Sequence, residues 1–323
     1  MAKFKVIVTD DRFSSYAPER EALAKVDAEL VVCDAKSQEE VQQIVEDADG
    51  VLLNLHQLGA PEIAKMQKCK VISRYGVGYN NVDVDAATQK GIWVSRVPDY
   101  GADEAVSDQA MALTLDCIRR TTFKYNRILN GEWNLMSAYK IHQVKDSVVG
   151  IIGFGHIGSK YAKKISGFSP KEILIYDPYK DEEEIKAAGC KKVSLDYLAE
   201  NSDIISIHCP EKAETANMID KHFLSLVKEN LILVNTARGG MVDDDALIEA
   251  LKAKKLSGAG LDVFKMDPVP SDHPYRHLDN VVISDHTGFY TEESLNTLKY
   301  KAAENIAQVL LGNKPVYPLN DIK

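Results

Sequence analysis

Val148-Val149-Gly150-Ile151-Ile152-Gly153-Phe154-Gly155-His156-Ile157-Gly158, followed about twenty residues later by Ile173-Leu174-Ile175-Tyr176-Asp177, is the stretch from which the fold is read. A β-branched run, a G-x-G-x-x-G turn, a helical stretch from Ser159 to Gly167 and a second apolar strand ending in an acid form the pattern of a dinucleotide-binding βαβ unit. Gly153 permits the tight turn after the strand. Gly155 lets the backbone approach a pyrophosphate drawn to the following helix N-terminus, where His156 and Ile157 lie, and Gly158 lets helix and strand pack closely. Asp177 is expected to accept hydrogen bonds from the adenosine ribose hydroxyls, and its charge repels a 2′-phosphate. The cofactor so implied is NAD rather than NADP.

At 323 residues the chain exceeds the size at which single cores stop growing, so two domains are the default expectation. With 45% hydrophobic residues it can build both cores. The net charge of −9, with acids and bases interleaved, gives no basic stripe for a nucleic acid and no polybasic membrane patch. Neither partner is expected. The opening Met1-Ala2-Lys3-Phe4-Lys5-Val6-Ile7-Val8 runs into a strand too short for a signal peptide's apolar core, and no window approaches a membrane span. A cytoplasmic location follows as the expectation. The five cysteines show neither C-x-x-C nor zinc-like spacing with the eight histidines. They read as reduced, mostly buried thiols, with no metal site.

Strand-like and helix-like pieces alternate from Phe4–Val8 to Ile92–Val94, as in a parallel sheet covered by helices. Pro98-Asp99-Tyr100-Gly101 punctuates the chain, and one long helix is expected from Asp103 to about Leu129. Its first half is apolar over much of its circumference, which argues burial on several sides. The alternation resumes at Val148 and closes with a helix from Glu292 to Leu311. The fold class is therefore α/β, with two doubly wound parallel-sheet domains and a cleft between them.

Several motifs in order carry a resemblance that spans nearly the whole chain. Tyr75-Gly76-Val77-Gly78-Tyr79-Asn80-Asn81-Val82-Asp83, Val97-Pro98-Asp99-Tyr100, Asn235-Thr236-Ala237-Arg238-Gly239-Gly240, Gly260-Leu261-Asp262-Val263-Phe264 and His286-Thr287-Gly288 together resemble the D-isomer-specific 2-hydroxyacid dehydrogenase family. That resemblance implies a Rossmann-type NAD domain over 102–288 and a discontinuous, flavodoxin-like substrate domain over 1–101 plus 289–323. It also implies a homodimer formed through the long helix and the segment around Trp133.

The roles it implies make chemical sense. A 2-oxo acid needs a fixed cation, a proton donor and a hydride donor. Arg238 offers a guanidinium fork for the carboxylate and the carbonyl, and His286 a group that gives or takes a proton near neutral pH. The family's glutamate partner of that histidine, twenty-nine residues beyond the arginine, is here Asp267, one methylene shorter. A carboxylate beside His286 favours the imidazolium.

The backbone around Val77 and Gly78 resembles the family's carboxylate-binding loop, and Tyr290 an aromatic of its D-lactate dehydrogenase branch. Cys209, Pro210 and Thr215 resemble the segment lining the adenine side, although Glu211-Lys212 depart from its pattern. Thr236, Ala237, Arg238 and Asp262 complete the implied cofactor contacts. His56, after Val51–Leu53, is a further candidate for the substrate, and Asp285 stands where a proline is common. The activity implied is NAD-dependent, reversible reduction of a 2-oxo acid to a D-2-hydroxy acid. The alternative is an NAD-sensing, co-repressor-like binding protein of the same superfamily, against which Arg238 and His286 both weigh.

Overall fold

The computed structural model describes residues 3–133 and 140–322. The chain divides into two compact units, Met1–Gly101 with Thr291–Lys323, and Ala102–Tyr290.

In the first unit, strands β1 (Phe4–Val8), β2 (Ala28–Val32), β3 (Gly50–Leu53), β4 (Val71–Arg74) and β5 (Trp93–Ser95) alternate with helices α1 (Ala17–Leu23), α2 (Gln38–Val45), α3 (Ala60–Lys65) and α4 (Val84–Gln89). The sheet is entirely parallel, in the order β2-β1-β3-β4-β5, which is the flavodoxin-like winding. Parallel strands covered on both faces read as unbroken apolar runs, and β3 is buried at every position. Ser37 and Asp83 start α2 and α4 by accepting the amides of Glu40 and Ala86, so the helix ends are set by local side-chain chemistry.

The second unit begins with α5 (Ala102–Arg119) and α6 (Thr121–Leu129) where the sequence predicts one continuous helix. The break is at Arg120, held at φ +59°. Its guanidinium is buried and donates to the carbonyl and hydroxyl of Ser257, while Asp116 accepts the Thr122 amide at 2.9 Å and so caps α6. α5 packs on the sheet of this unit, whereas α6 buries no residue and exposes Tyr125, Ile128 and Leu129. Trp133 is exposed, and the stretch after it, 134–139, lies outside the described residues.

Seven parallel strands follow: β6 (Val148–Ile152), β7 (Glu172–Tyr176), β8 (Lys191–Lys192), β9 (Ile204–Ile207), β10 (Leu231–Asn235), β11 (Leu256–Leu261) and β12 (Val281–Ile283). The helices between them are α7 (His156–Ser166), α8 (Glu182–Ala187), α9 (Leu195–Asn201), α10 (Lys221–Leu226) and α11 (Asp244–Lys252). α7 begins three residues ahead of the predicted Ser159, which puts Gly158 inside its first turn. α8 was not predicted, although its first turn carries Glu182, Glu183 and Glu184, which favour a helix N-terminus.

The strand order β12-β11-β10-β9-β6-β7-β8 reverses between β6 and β9, giving the dinucleotide-binding winding with one added strand. The last helix, α12 (Glu292–Leu310), packs against α1 in the first unit. Among the described residues no helix is long and apolar enough to cross a membrane.

Candidate active site

In doubly wound sheets ligands bind beyond the carboxyl ends of the strands, at the point where the strand order reverses. In the second unit the residues predicted to hold a cofactor line that edge in order. Asp177 follows β7, Gly153 to Gly158 follow β6, Cys209, Pro210 and Thr215 follow β9, Thr236 and Ala237 follow β10, and Asp262 follows β11.

The glycine turn is shaped by contacts rather than by flexibility alone. Gly153 has φ +91°, and a Cβ there would stand 2.7 Å from the Cys209 amide nitrogen; a Cβ on Gly158 would stand 2.1 Å from the Gly153 carbonyl oxygen. Gly155 differs, because a Cβ there would meet nothing within 4 Å. The chain is thus packed tightly on either side of an open backbone cradle. Gly155 is also the N-cap of α7 and lends it no side-chain acceptor, so the first amides of the helix are left for a ligand. A pyrophosphate suits this cradle. The buried Thr236 hydroxyl, which has no hydrogen-bond partner among the described residues, is a second group consistent with a bound cofactor.

Asp177 Oδ2 accepts the Phe154 amide at 2.8 Å and Oδ1 the Tyr179 amide at 2.9 Å, so this carboxylate ties the glycine turn to the end of β7. Each oxygen keeps a second acceptor direction for a ribose hydroxyl. Cys209 is half-buried, and burial pushes its thiol up to about 11. Thr215 accepts the Lys212 amide and donates to the Pro210 carbonyl, both at 2.8 Å, closing the loop after β9. Beneath it His208 lies against the ring of Tyr161, and burial drives its imidazole down to about 3.

Arg238, Asp267 and His286 follow three neighbouring strands, β10, β11 and β12. Asn235 holds the first of these turns, accepting the Ala237 amide at 3.0 Å and donating to the Arg238 carbonyl at 2.9 Å. The Arg238 side chain is exposed and donates to the Ala237 carbonyl at 2.7 Å. His286 Nδ1 and Asp267 Oδ2 lie 2.6 Å apart, both partly open to solvent. His286 sits at φ +58°, a conformation that L-residues visit only where the surroundings hold them.

Asp262 supplies that hold. It is buried, accepts the Ser284 hydroxyl at 2.6 Å and the Gly288 amide at 3.0 Å, and so spans the turn that carries His286. Burial raises its carboxyl above the usual range. Gln109 of α5 donates to Ser284 at 2.9 Å and extends the brace. Asn235, Ser284 and Gln109 were not among the predicted site residues. Asn235 had a readable signal, a side chain suited to an Asx turn at a strand end; the other two depend on distant pairing.

Asp285 is exposed and accepts the Thr287 hydroxyl at 2.6 Å instead of joining the dyad. Tyr290 is 48% exposed at the end of this unit.

In the first unit Val77 and Gly78 follow β4, with Gly76 at φ +110° and its carbonyl accepting the Val97 amide at 3.0 Å. Arg96 donates to the Val77 carbonyl at 3.1 Å. His56 follows β3, with Nδ1 3.8 Å from Asp10 Oδ1, too far for a hydrogen bond.

Residues 111–288, more than half of the chain, match the family model described as D-isomer specific 2-hydroxyacid dehydrogenase, NAD binding domain. The chain is 35% identical over 310 residues to D-3-phosphoglycerate dehydrogenase of Methanocaldococcus jannaschii, covering 95% of this chain and 58% of that protein. It therefore spans little more than half the length of that relative. It is 35% identical over 278 residues to a glyoxylate reductase of Korarchaeum cryptofilum, covering 84% and 82% of the two chains. Among solved structures it resembles D-lactate dehydrogenase from Aquifex aeolicus complexed with NAD and lactic acid, at 29% identity and a TM-score of 0.82, with 96% of each chain covered. The strand-end residues from Gly153 to His286 thus lie within the stretch matched by the NAD-binding-domain model, and the chain belongs to the D-isomer specific 2-hydroxyacid dehydrogenase family.

Proposed function

We propose that this chain reduces a 2-oxo acid to a D-2-hydroxy acid, and reverses the reaction, with Arg238 holding the substrate and His286 exchanging the proton. The observation that carries the reading is the His286–Asp267 pair at 2.6 Å, on loops that follow β11 and β12, with the exposed Arg238 following the neighbouring strand β10.

The chemistry supplied by the bound cofactor is hydride transfer to or from C2 of the substrate. Arg238 grips the carboxylate and polarises the carbonyl through its fork of donors, a geometry that lysine cannot copy. Asp267 accepts from His286 Nδ1 and orients the ring, so that in reduction the imidazolium form gives its Nε2 proton to the carbonyl oxygen as it becomes a hydroxyl, leaving the neutral ring protonated on Nδ1. In oxidation Nε2 takes that proton back. The amides of Val77 and Gly78 are the first unit's candidates for the substrate carboxylate, and Tyr290 is a candidate pocket wall.

Gly153, Gly155, His156, Ile157, Gly158, Asp177, Cys209, Pro210, Thr215, Thr236, Ala237, Arg238 and Asp262 are read as the cofactor contacts, with Asp177 selecting NAD. A homodimer is part of the reading, supported by Tyr125, Ile128 and Leu129, which are exposed among the described residues on an α6 with no fully buried side chain. The free thiols support a cytoplasmic location.

The test is NADH oxidation with pyruvate, glyoxylate, hydroxypyruvate, 2-oxoisocaproate and phenylpyruvate, followed by chiral analysis of the product. Turnover of at least one acid to its D-hydroxy product supports the reading. Tight NADH binding with no turnover on any of them would favour a sensor.

A further inference from the structure

Beneath the loop that carries Val77 and Gly78, the first unit buries three polar groups that this chemistry does not use. Glu19 of α1, Tyr75 after β4 and Lys299 of α12 are 0%, 2% and 3% exposed. Glutamate and lysine are almost never fully buried unless paired, so their presence calls for a cause. The Tyr75 hydroxyl donates to Glu19 Oε1 at 3.0 Å, while Glu19 Oε2 has no hydrogen-bond partner among the described residues. Burial raises the Glu19 carboxyl, and the Lys299 charge works against that rise. Burial also pushes the Tyr75 hydroxyl well above its ordinary range, so it stays a donor. Phe13 closes the cluster, with its ring centre 5.2 Å from that of Tyr75 in an edge-on contact and 5.4 Å from Lys299 Nζ.

A half-satisfied buried carboxylate is a poor device for stability, because a well-packed apolar group would avoid the cost of desolvation. What the cluster does fix is the place where the chain leaves β4. The Tyr75 amide donates to the Leu53 carbonyl at 2.9 Å, and the next residue, Gly76, takes its positive φ and accepts the Val97 amide. Tyr75 is therefore anchored at both ends, by its amide to β3 and by its hydroxyl to α1. Val77 then emerges 42% exposed.

We propose that Tyr75 is a positioning residue: its hydroxyl, held by Glu19, sets the orientation in which the backbone of Gly76 to Gly78 meets the substrate carboxylate. This rests on the reading of that loop given above. Tyr75 touches no substrate itself and acts through the three residues after it.

Tyr75→Phe removes one oxygen and keeps the ring against Phe13. Amide exchange at Tyr75 and Val97, whose partners are the Leu53 and Gly76 carbonyls, should accelerate about tenfold, the loss expected from one hydrogen bond. The KM for the 2-oxo acid should rise about tenfold with it, while kcat and the Kd for NADH stay within about twofold. Glu19→Gln keeps an acceptor for the hydroxyl and should leave both readouts at their wild-type values. Glu19→Leu removes the acceptor together with the buried charge, and should reproduce the Tyr75→Phe phenotype in a protein that folds well. Unchanged exchange in Tyr75→Phe and Glu19→Leu would overturn the proposal, as would a parallel fall in kcat, NADH affinity and thermal stability. Faster exchange with an unchanged KM supports the anchor and overturns the reading of the loop as the carboxylate site.

Discussion

His286 Nδ1 lies 2.6 Å from Asp267 Oδ2, so the ring nitrogen that faces the protein is committed to a carboxylate and the other is left for chemistry. The family glutamate is one methylene longer, yet aspartate closes the contact here because both partners stand on loops beyond adjacent strands, β11 and β12.

Asp267→Asn keeps the shape of the side chain and removes the negative charge that faces the imidazolium. The expected result is a fall of about 10²-fold or more in kcat for 2-oxo acid reduction, with the Kd for NADH unchanged in a fluorescence titration. Asp267→Glu should retain most of kcat with an altered pH profile. An Asp267→Asn enzyme as fast as wild type would remove Asp267 from the mechanism.

Arg238→Lys separates charge from geometry. Lysine preserves the cation but loses the planar fork, so kcat/KM should drop by about 10-fold to 100-fold, the equivalent of one charge-assisted hydrogen bond. Arg238→Ala should drop it further. Steady-state kinetics with a saturating cofactor read both.

Two glycines of one motif should fail in different ways. Gly153→Ala forces a Cβ to 2.7 Å from the Cys209 nitrogen at a positive φ, and should destabilise the second unit by about 2–4 kcal/mol. Gly155→Ala meets nothing within 4 Å, so the protein should melt as wild type does while its NADH affinity falls. Calorimetry beside cofactor titration separates the outcomes; equal stability losses at both positions would contradict the cradle.

His208 makes stability depend on pH. Its imidazole is held down to about 3 by burial, against an ordinary value near 6.5. Between those values the unfolded chain binds a proton that the folded chain does not, so the stabilisation is present above about pH 6.5 and is lost as pH falls. The slope from this one residue reaches at most about 1.4 kcal/mol per pH unit. Denaturant unfolding at pH 7.5 and pH 5.5 should show the loss, and His208→Gln should flatten it.

Much of this was legible because buried parallel strands write themselves into the sequence. Gly50–Leu53 and Leu231–Asn235 are apolar runs between polar turns, and their ends fall where the composition changes. The break between α5 and α6 was not legible, since Arg120 reaches Ser257, 137 residues away, and no local signal announces that contact. Asp262 shows the same limit within the site. It was read as a cofactor contact, and the structure engages both of its oxygens in holding Ser284 and Gly288, a pairing set by the register of Leu261 on Ile283. A motif names residues at strand ends; the strand order decides which of them face one another.

The most direct test of the central claim is a single turnover. Enzyme preloaded with NADH is mixed with excess 2-oxo acid, and the decay of reduced-nicotinamide absorbance is followed in wild type, Arg238→Ala and His286→Ala. Rapid decay in wild type, slowed by about 10²-fold or more in both variants while NADH binding is retained, is the predicted result. Equal decay in all three, or none in wild type with NADH tightly bound, would contradict it.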